Sequence, residues 1–210
     1  MIDPGPPIAV HIDALLAEVE ARGGLGAILV THDHGDHSGG VDMVVERTGA
    51  PLAAMRPGAE IALVDGAVVG PLTALSTPGH AADHTAFLTG GVCFTGDAVL
   101  GEGSVFIDAY PGALAAYLAS LRRLRGLDLE LLAPGHGPLI TDPRAKLDEY
   151  LAHRLERERG VIEALAEGLR EHDELLDRVW PQLPAELRPL AASTLAAHLD
   201  KLAQEGRLPT

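Results

Sequence analysis

Residues 31–40 read Thr31-His32-Asp33-His34-Gly35-Asp36-His37-Ser38-Gly39-Gly40 and place three imidazoles among carboxylates and glycines. Neutral imidazole and carboxylate are the usual ligands of zinc and its first-row neighbours, so this stretch points to a metal site. The continuous apolar run Ala27-Ile28-Leu29-Val30 immediately before it reads as a strand buried on both faces, with the histidines in the loop at its C-terminal end. A solvated polar loop is the competing reading, but ordinary loops seldom concentrate histidine in this way.

The same grammar recurs along the chain. A helix over 8–21, with Ile12, Leu15, Leu16 and Val19 at helical spacing, ends at Gly23-Gly24. Ser38 is expected to cap a helix running to about Arg47. Short apolar runs at 51–55, 61–64, 68–69 and 72–76 read as strands of a second sheet, closing in the turn Thr77-Pro78-Gly79-His80. Residues 85–89 and 92–95 form a hairpin across Gly90-Gly91, followed directly by Gly96-Asp97. A helix beginning at Pro111 shows Leu114, Tyr117, Leu118 and Leu121 on one face, and a last strand at 129–132 ends at Pro134-Gly135-His136-Gly137. In each case a residue able to bind metal follows a strand end. After Pro143 glycine nearly disappears and charge rises, so 147–169 reads as one amphipathic helix with Glu and Arg outward, and 171–208 as three short helical patterns. The expected units are 1–142, a connecting helix at 143–170 and a small domain at 171–210.

Together His32, His34, Asp36, His37, His80, Asp97 and His136 supply five imidazoles and two carboxylates, more than one tetrahedral zinc can use. The inventory suits two metals with an activated water between them. The string His32-x-His34-x-Asp36-His37, His80 in Thr-Pro-Gly-His, Asp97 after Phe-Thr-Gly and His136 in Gly-His-Gly resembles the metallo-β-lactamase superfamily of α/β proteins, the αββα sandwich hydrolases. Residues 96–103, Tyr150-Leu151-Ala152-His153-Arg154 and the tail resemble its β-lactamase-like protein 2 subfamily, with a winged-helix-like C-terminal domain.

The resemblance implies two Zn(2+) ions per chain, one on His32, His34 and His80, the other on Asp36, His37 and His136, with Asp97 between them. Asp36 is the catalytic candidate for handling the proton of the attacking water. Asp3 is expected to orient a ligand histidine from behind, or else to be a turn carboxylate, and His84 to hydrogen-bond rather than ligate. The family has about two strands before its Asp-Pro-Gly turn, so the expectation is a shortened or misassigned start and a sandwich lacking its first strands. His153, Arg154 and Arg157 lie on a helix that, by analogy, overhangs the site and contacts an anionic substrate group; a solvated, salt-bridged face is the alternative. His11, His172 and His198 carry no pattern and read as surface residues. Cys93 reads as a small core residue, and core packing is the default for Tyr110 and Tyr117.

Composition narrows the function. Thirty acidic residues against 16 basic give a net charge of −14, which repels polyanions. The tail at 171–210 carries four basic residues against seven acidic ones, so a DNA-reading helix-turn-helix is disfavoured and a packing or lid role favoured. One cysteine excludes an internal disulfide, and no apolar run approaches a membrane span, which together read as a cytoplasmic chain. The reading is a dinuclear zinc hydrolase in which metal-bound hydroxide attacks a small ester or thioester. A single-stranded RNA endoribonuclease using the same metals and an iron-dependent oxidoreductase of the superfamily are the alternatives. The expected partner is a small molecule, with RNA and a second copy of the chain as further candidates, and neither DNA nor membrane.

Overall fold

The computed structural model describes residues 1–208; the last two residues of the expected tail unit, 209–210, lie outside them. The element order is α1 (Ala9–Ala21), β1 (Ile28–Leu29), α2 (Gly35–Ser38), α3 (Val41–Thr48), β2 (Leu52–Ala54), β3 (Ile61–Ala62), β4 (Val68–Val69), β5 (Leu72–Ser76), β6 (Thr85–Thr89), β7 (Val92–Gly96), α4 (Ala113–Arg125), β8 (Leu131–Pro134), α5 (Pro143–Ala166), α6 (His172–Val179), a 3-10 turn (Ala185–Leu187) and α7 (Arg188–Gln204). A parallel sheet β1-β2-β3 faces a five-stranded sheet β4-β5-β6-β7-β8, antiparallel up to β7 and parallel between β7 and β8.

Side-chain alternation along the strands builds four layers. Ile28, Leu52 and Ala54 pack outward against Ile12 of α1 and Val41 and Val44 of α3. Their neighbours Leu29 and Ala53 turn inward to meet Ala74 and Phe87 of the second sheet. Leu75, Ala86, Cys93 and Leu132 point out of that sheet's far face onto Leu114, Tyr117, Leu118 and Leu121 of α4. This is the αββα sandwich. Burial pushes the Cys93 thiol up to about 12, as befits a core residue.

Several local expectations are corrected. The runs at 51–55 and 61–64 belong to the first sheet, because the helical crossover between β1 and β2 returns the chain parallel to β1. Ser38 ends α2 instead of capping α3, and its hydroxyl donates to the His34 carbonyl at 3.2 Å. Helix α4 starts at Ala113 behind Gly112, and the last strand is displaced to Leu131–Pro134; α5 starts at Pro143, the expected start of the connecting helix, with Asp142 accepting from the Ala145 N–H.

Helix α5 serves two cores. Its Leu147 and Tyr150 pack with α4, whereas Val161, Ala164 and Leu165 pack with Leu175 and Leu176 of α6 and Leu195 and Leu202 of α7. Glu and Arg are therefore not all outward: Arg154 and Glu158 are buried. Lys201 Nζ and Arg207 each donate to Glu158 at 2.7 Å, tying α7 to α5. Among the described residues no helix is long and apolar enough to cross a membrane.

Glu158→Ala is expected to leave the buried Lys201 ammonium with only the exposed Glu205 carboxylate as partner and to cost about 2–3 kcal/mol, seen as a fall in Tm of roughly 5–10 °C. Glu205→Ala, which removes an exposed partner of the same lysine, is expected to cost less than about 1 kcal/mol.

Candidate metal centre

The ligand-type residues all lie at strand ends or in the loops that follow them, along one edge of the sandwich. His32 and His34 follow β1, and Asp36 and His37 occupy the single turn of α2. His80 sits in the loop between β5 and β6, Asp97 follows β7 and His136 follows β8. The close approach of the Pro78-Gly79-His80 turn to α4 requires glycine. Gly79 has φ +141°, and a Cβ there would lie 2.3 Å from Tyr117 Cβ.

Two sets of donor atoms converge. In the first, His32 Nε2 and His34 Nδ1 are 3.0 Å apart, His80 Nε2 and His34 Nδ1 3.1 Å, and His80 Nε2 and His32 Nε2 3.2 Å. Ligands around a tetrahedral zinc at about 2.0–2.1 Å stand roughly 3.3 Å apart, close to this triangle. In the second, His37 Nε2 lies 3.2 Å from His136 Nε2, which is 3.1 Å from Asp36 Oδ2. Asp97 stands between them, with Oδ1 3.4 Å from His37 Nε2, and Oδ2 3.7 Å from His136 Nε2 and 3.9 Å from His80 Nε2.

The residues behind the ligands fix which ring nitrogens are bare. Thr31 donates its hydroxyl hydrogen to Asp3 Oδ2 at 2.7 Å, and so accepts from His32 Nδ1 at 2.9 Å. The Phe106 carbonyl can only accept, so His80 Nδ1 donates to it at 2.9 Å. The Nε2 atoms of His32 and His80 therefore face each other as lone pairs. Two lone pairs at 3.2 Å repel unless a cation lies between them, and Asp97 Oδ1 is likewise buried with no hydrogen-bond donor. This donor set fits a divalent metal.

Electrostatics agree for His32 and His80. Burial and then the surrounding imidazoles lower the pKa of His32, and burial lowers that of His80, so both stay neutral. His37 differs: burial opposes its protonation, but Asp3 and Asp97 outweigh it and hold its pKa up at about 10, so a metal taking Nε2 would displace a proton there. Asp3 accepts from His37 Nδ1 at 2.8 Å and from the Thr31 N–H at 2.7 Å, with φ +48° at its own backbone. His84 ligates nothing. Its Nε2 accepts from the Asp97 N–H at 3.1 Å and its Nδ1 donates to Thr77 Oγ1 at 2.8 Å, and burial brings its pKa down to about 3.

Other sequence-derived candidates fall outside the cluster. Arg154 donates to the Val105 carbonyl and lies over the Tyr117 ring. Arg157 donates to the Val179 carbonyl and to His153 Nε2. His153 and Arg154 instead line a cavity of about 130 Å³ between Phe106 and Trp180. His198 is a correction: it is fully buried, because it shares the inward face of α7 with Thr194, Leu195 and Leu202, and burial lowers its pKa to about 3. His11 is half-buried, with Nε2 2.9 Å from the Pro4 carbonyl. Sequence reasoning missed Phe106, whose contribution is a backbone carbonyl, and Asp108, whose carboxylate lies 3.8 Å from His34 Nε2. No residue-type signal marks either.

The sequence pattern of the metallo-beta-lactamase superfamily matches residues 1–70 and 62–136, and that of a beta-lactamase associated winged helix domain matches 172–208. A "Beta-lactamase-like protein 2 homolog" of Caenorhabditis elegans is 32% identical, over 98% of this chain and 75% of its own length. An "Atrochrysone carboxyl ACP thioesterase" of Aspergillus chevalieri is 38% identical over 80% of this chain and 57% of its own length. The crystal structure of a metallo-beta-lactamase family protein from Thermus thermophilus superposes with a TM-score of 0.80 at 26% identity, over 97% of this chain and 84% of that one.

Gly135 leaves the space between the two donor sets: a Cβ there would lie 2.7 Å from both Asp97 Oδ1 and His37 Cε1. Gly135→Ala is expected to lose at least one equivalent of bound metal by elemental analysis while keeping its far-ultraviolet circular dichroism. Gly26→Ala, whose Cβ meets nothing within 4 Å, is expected to keep the wild-type metal content.

Proposed function

We propose that this chain, which belongs to the metallo-beta-lactamase superfamily and carries its associated winged helix domain, is a two-zinc hydrolase of small acyl substrates, thioesters above all. The observation that carries the reading is the pair of bare Nε2 atoms of His32 and His80 at 3.2 Å, beside the donorless Asp97 Oδ1. His32, His34 and His80 would hold one ion and Asp36, His37 and His136 the other, with Asp97 placed between the two sets. Divalent zinc held there lowers the pKa of water and polarises a carbonyl oxygen.

The remaining roles fall to the chain's own groups. Asp3, Thr31 and the Phe106 carbonyl keep Nδ1 of His37, His32 and His80 as the hydrogen-bonding side of each ring. Asp36 is more than half exposed and presents its carboxylate to solvent beside His136. It takes a proton from the attacking water and returns one to the departing thiolate as the C–O bond forms and the C–S bond breaks. The rim near His34 carries three carboxylates against one cation: Asp108 faces that ring, and Asp83 lies beside Asp33, which Arg56 pairs. With a net charge of −14, such a rim disfavours a phosphodiester backbone and favours a neutral acyl group. The thioesterase named among the relatives supports the same choice.

The test is a panel of thioesters and fluorescent single-stranded RNA assayed on zinc-loaded protein. Thioester turnover that falls at least about a hundredfold in Asp97→Asn and in His32→Ala, with the fold intact, is the expected result. RNA cleavage abolished by the same variants with no thioester turnover would replace this reading with the endoribonuclease.

A further inference from the structure

The strap between Asp97 and α4, residues 104–112, has one side on the metal ligands and the other on the C-terminal unit. Toward the ligands, the Phe106 carbonyl accepts from His80 Nδ1 at 2.9 Å and the Asp108 N–H donates to the His80 carbonyl at 3.2 Å. The Phe106 ring packs edge-on to His80, with centroids 4.8 Å apart, and is stacked on His34 at 5.8 Å. Away from them, Thr194 Oγ1 accepts from the Ile107 N–H at 3.1 Å and Ser193 Oγ donates to the Ile107 carbonyl at 2.8 Å. Arg154 donates to the Val105 carbonyl, and Asp200 Oδ2 accepts from the Gly112 N–H at 2.8 Å.

The alternation has a simple cause. Successive peptide groups of an extended segment face opposite ways, so gripping residues 105 and 107 from one side aims the carbonyl of 106 to the other. Val105 and Ile107 are buried under α5 and α7, and nothing within the strap itself is regular secondary structure. The grip therefore sets where the Phe106 carbonyl stands, and that carbonyl sets the orientation of His80.

We propose that Thr194 and Ser193 of α7 are positioning residues for the metal centre, acting through the 105–107 strap on His80, so that the C-terminal winged helix domain completes the site on His32, His34 and His80. The inference rests on the metal-site reading above. It also assigns α7 between Ser193 and Asp200 a use other than nucleic-acid contact: the two hydroxyls and the Asp200 carboxylate are turned inward onto the strap.

The test measures metal affinity on the full chain, by zinc competition with a chromophoric chelator and by the cobalt-substituted absorption spectrum. Thr194→Val keeps the volume of the side chain but loses its acceptor, and Ser193→Ala loses the donor to Ile107. Each is expected to weaken the tighter or the weaker zinc site by about three- to tenfold, less than the ten- to hundredfold typical for a direct partner of a ligand histidine. Thr194→Ser is expected to restore both affinity and cobalt spectrum. Wild-type affinity and spectrum in folded Thr194→Val, or in Ser193→Ala should Thr194→Val fail to fold, overturn the inference while leaving the metal site standing. A wild-type chain that binds neither zinc nor cobalt overturns both.

Discussion

The geometry of this site depends on the hydrogen bonds made by the Nδ1 sides of three of its histidines, His32, His37 and His80. A carboxylate, a hydroxyl and a backbone carbonyl, on Asp3, Thr31 and Phe106, occupy those sides for His37, His32 and His80. Each ring is thereby committed to presenting Nε2 to the centre. Asp3 does the most: its two oxygens collect the Thr31 N–H, the Thr31 hydroxyl and His37, so one side chain orients a residue for each donor set. Its backbone is held at φ +48°, a conformation costing a non-glycine residue roughly 1 kcal/mol, which the convergence of those donors offsets.

The fold's contribution is to bring distant strand ends within a few ångströms. Ligands as far apart as His37 and His136, 99 positions, meet because both sheets end along the same edge and the chain turns there in glycine-rich loops. A close-packed layer of Leu29, Ala53, Ala74 and Phe87 between the sheets fixes the relative placement of those ends. Behind the second sheet, α4 and α5 bury the strap's neighbours, and α7 grips the strap itself.

Much of this was legible in the residues. Histidine and aspartate at turns announce metal chemistry because few other roles need them together, and the spacing in 32–37 with His80, Asp97 and His136 carried the family resemblance. The layer of β2 and β3 was not legible, since a short apolar strand buried on both faces says nothing of its partner. Phe106 was invisible for a deeper reason: every residue has a carbonyl, and only the three-dimensional path of the strap singles out this one. Arg154 looked like a substrate contact and is a buried clamp, and His198 looked superficial, although its spacing from Leu195 and Leu202 places it on the inward face of α7. A charged or polar residue type on a helix is a weak guide when two cores share that helix.

The central claim is that the protein fixes the tautomers of His32 and His80 before any metal arrives. Long-range 1H–15N correlation of the imidazole rings in the metal-free protein near neutral pH tests it directly. The account predicts that both rings are neutral and protonated at Nδ1, with Nε2 showing the shift of a bare nitrogen. Finding Nε2–H on either ring, or rapid exchange between tautomers, would contradict it.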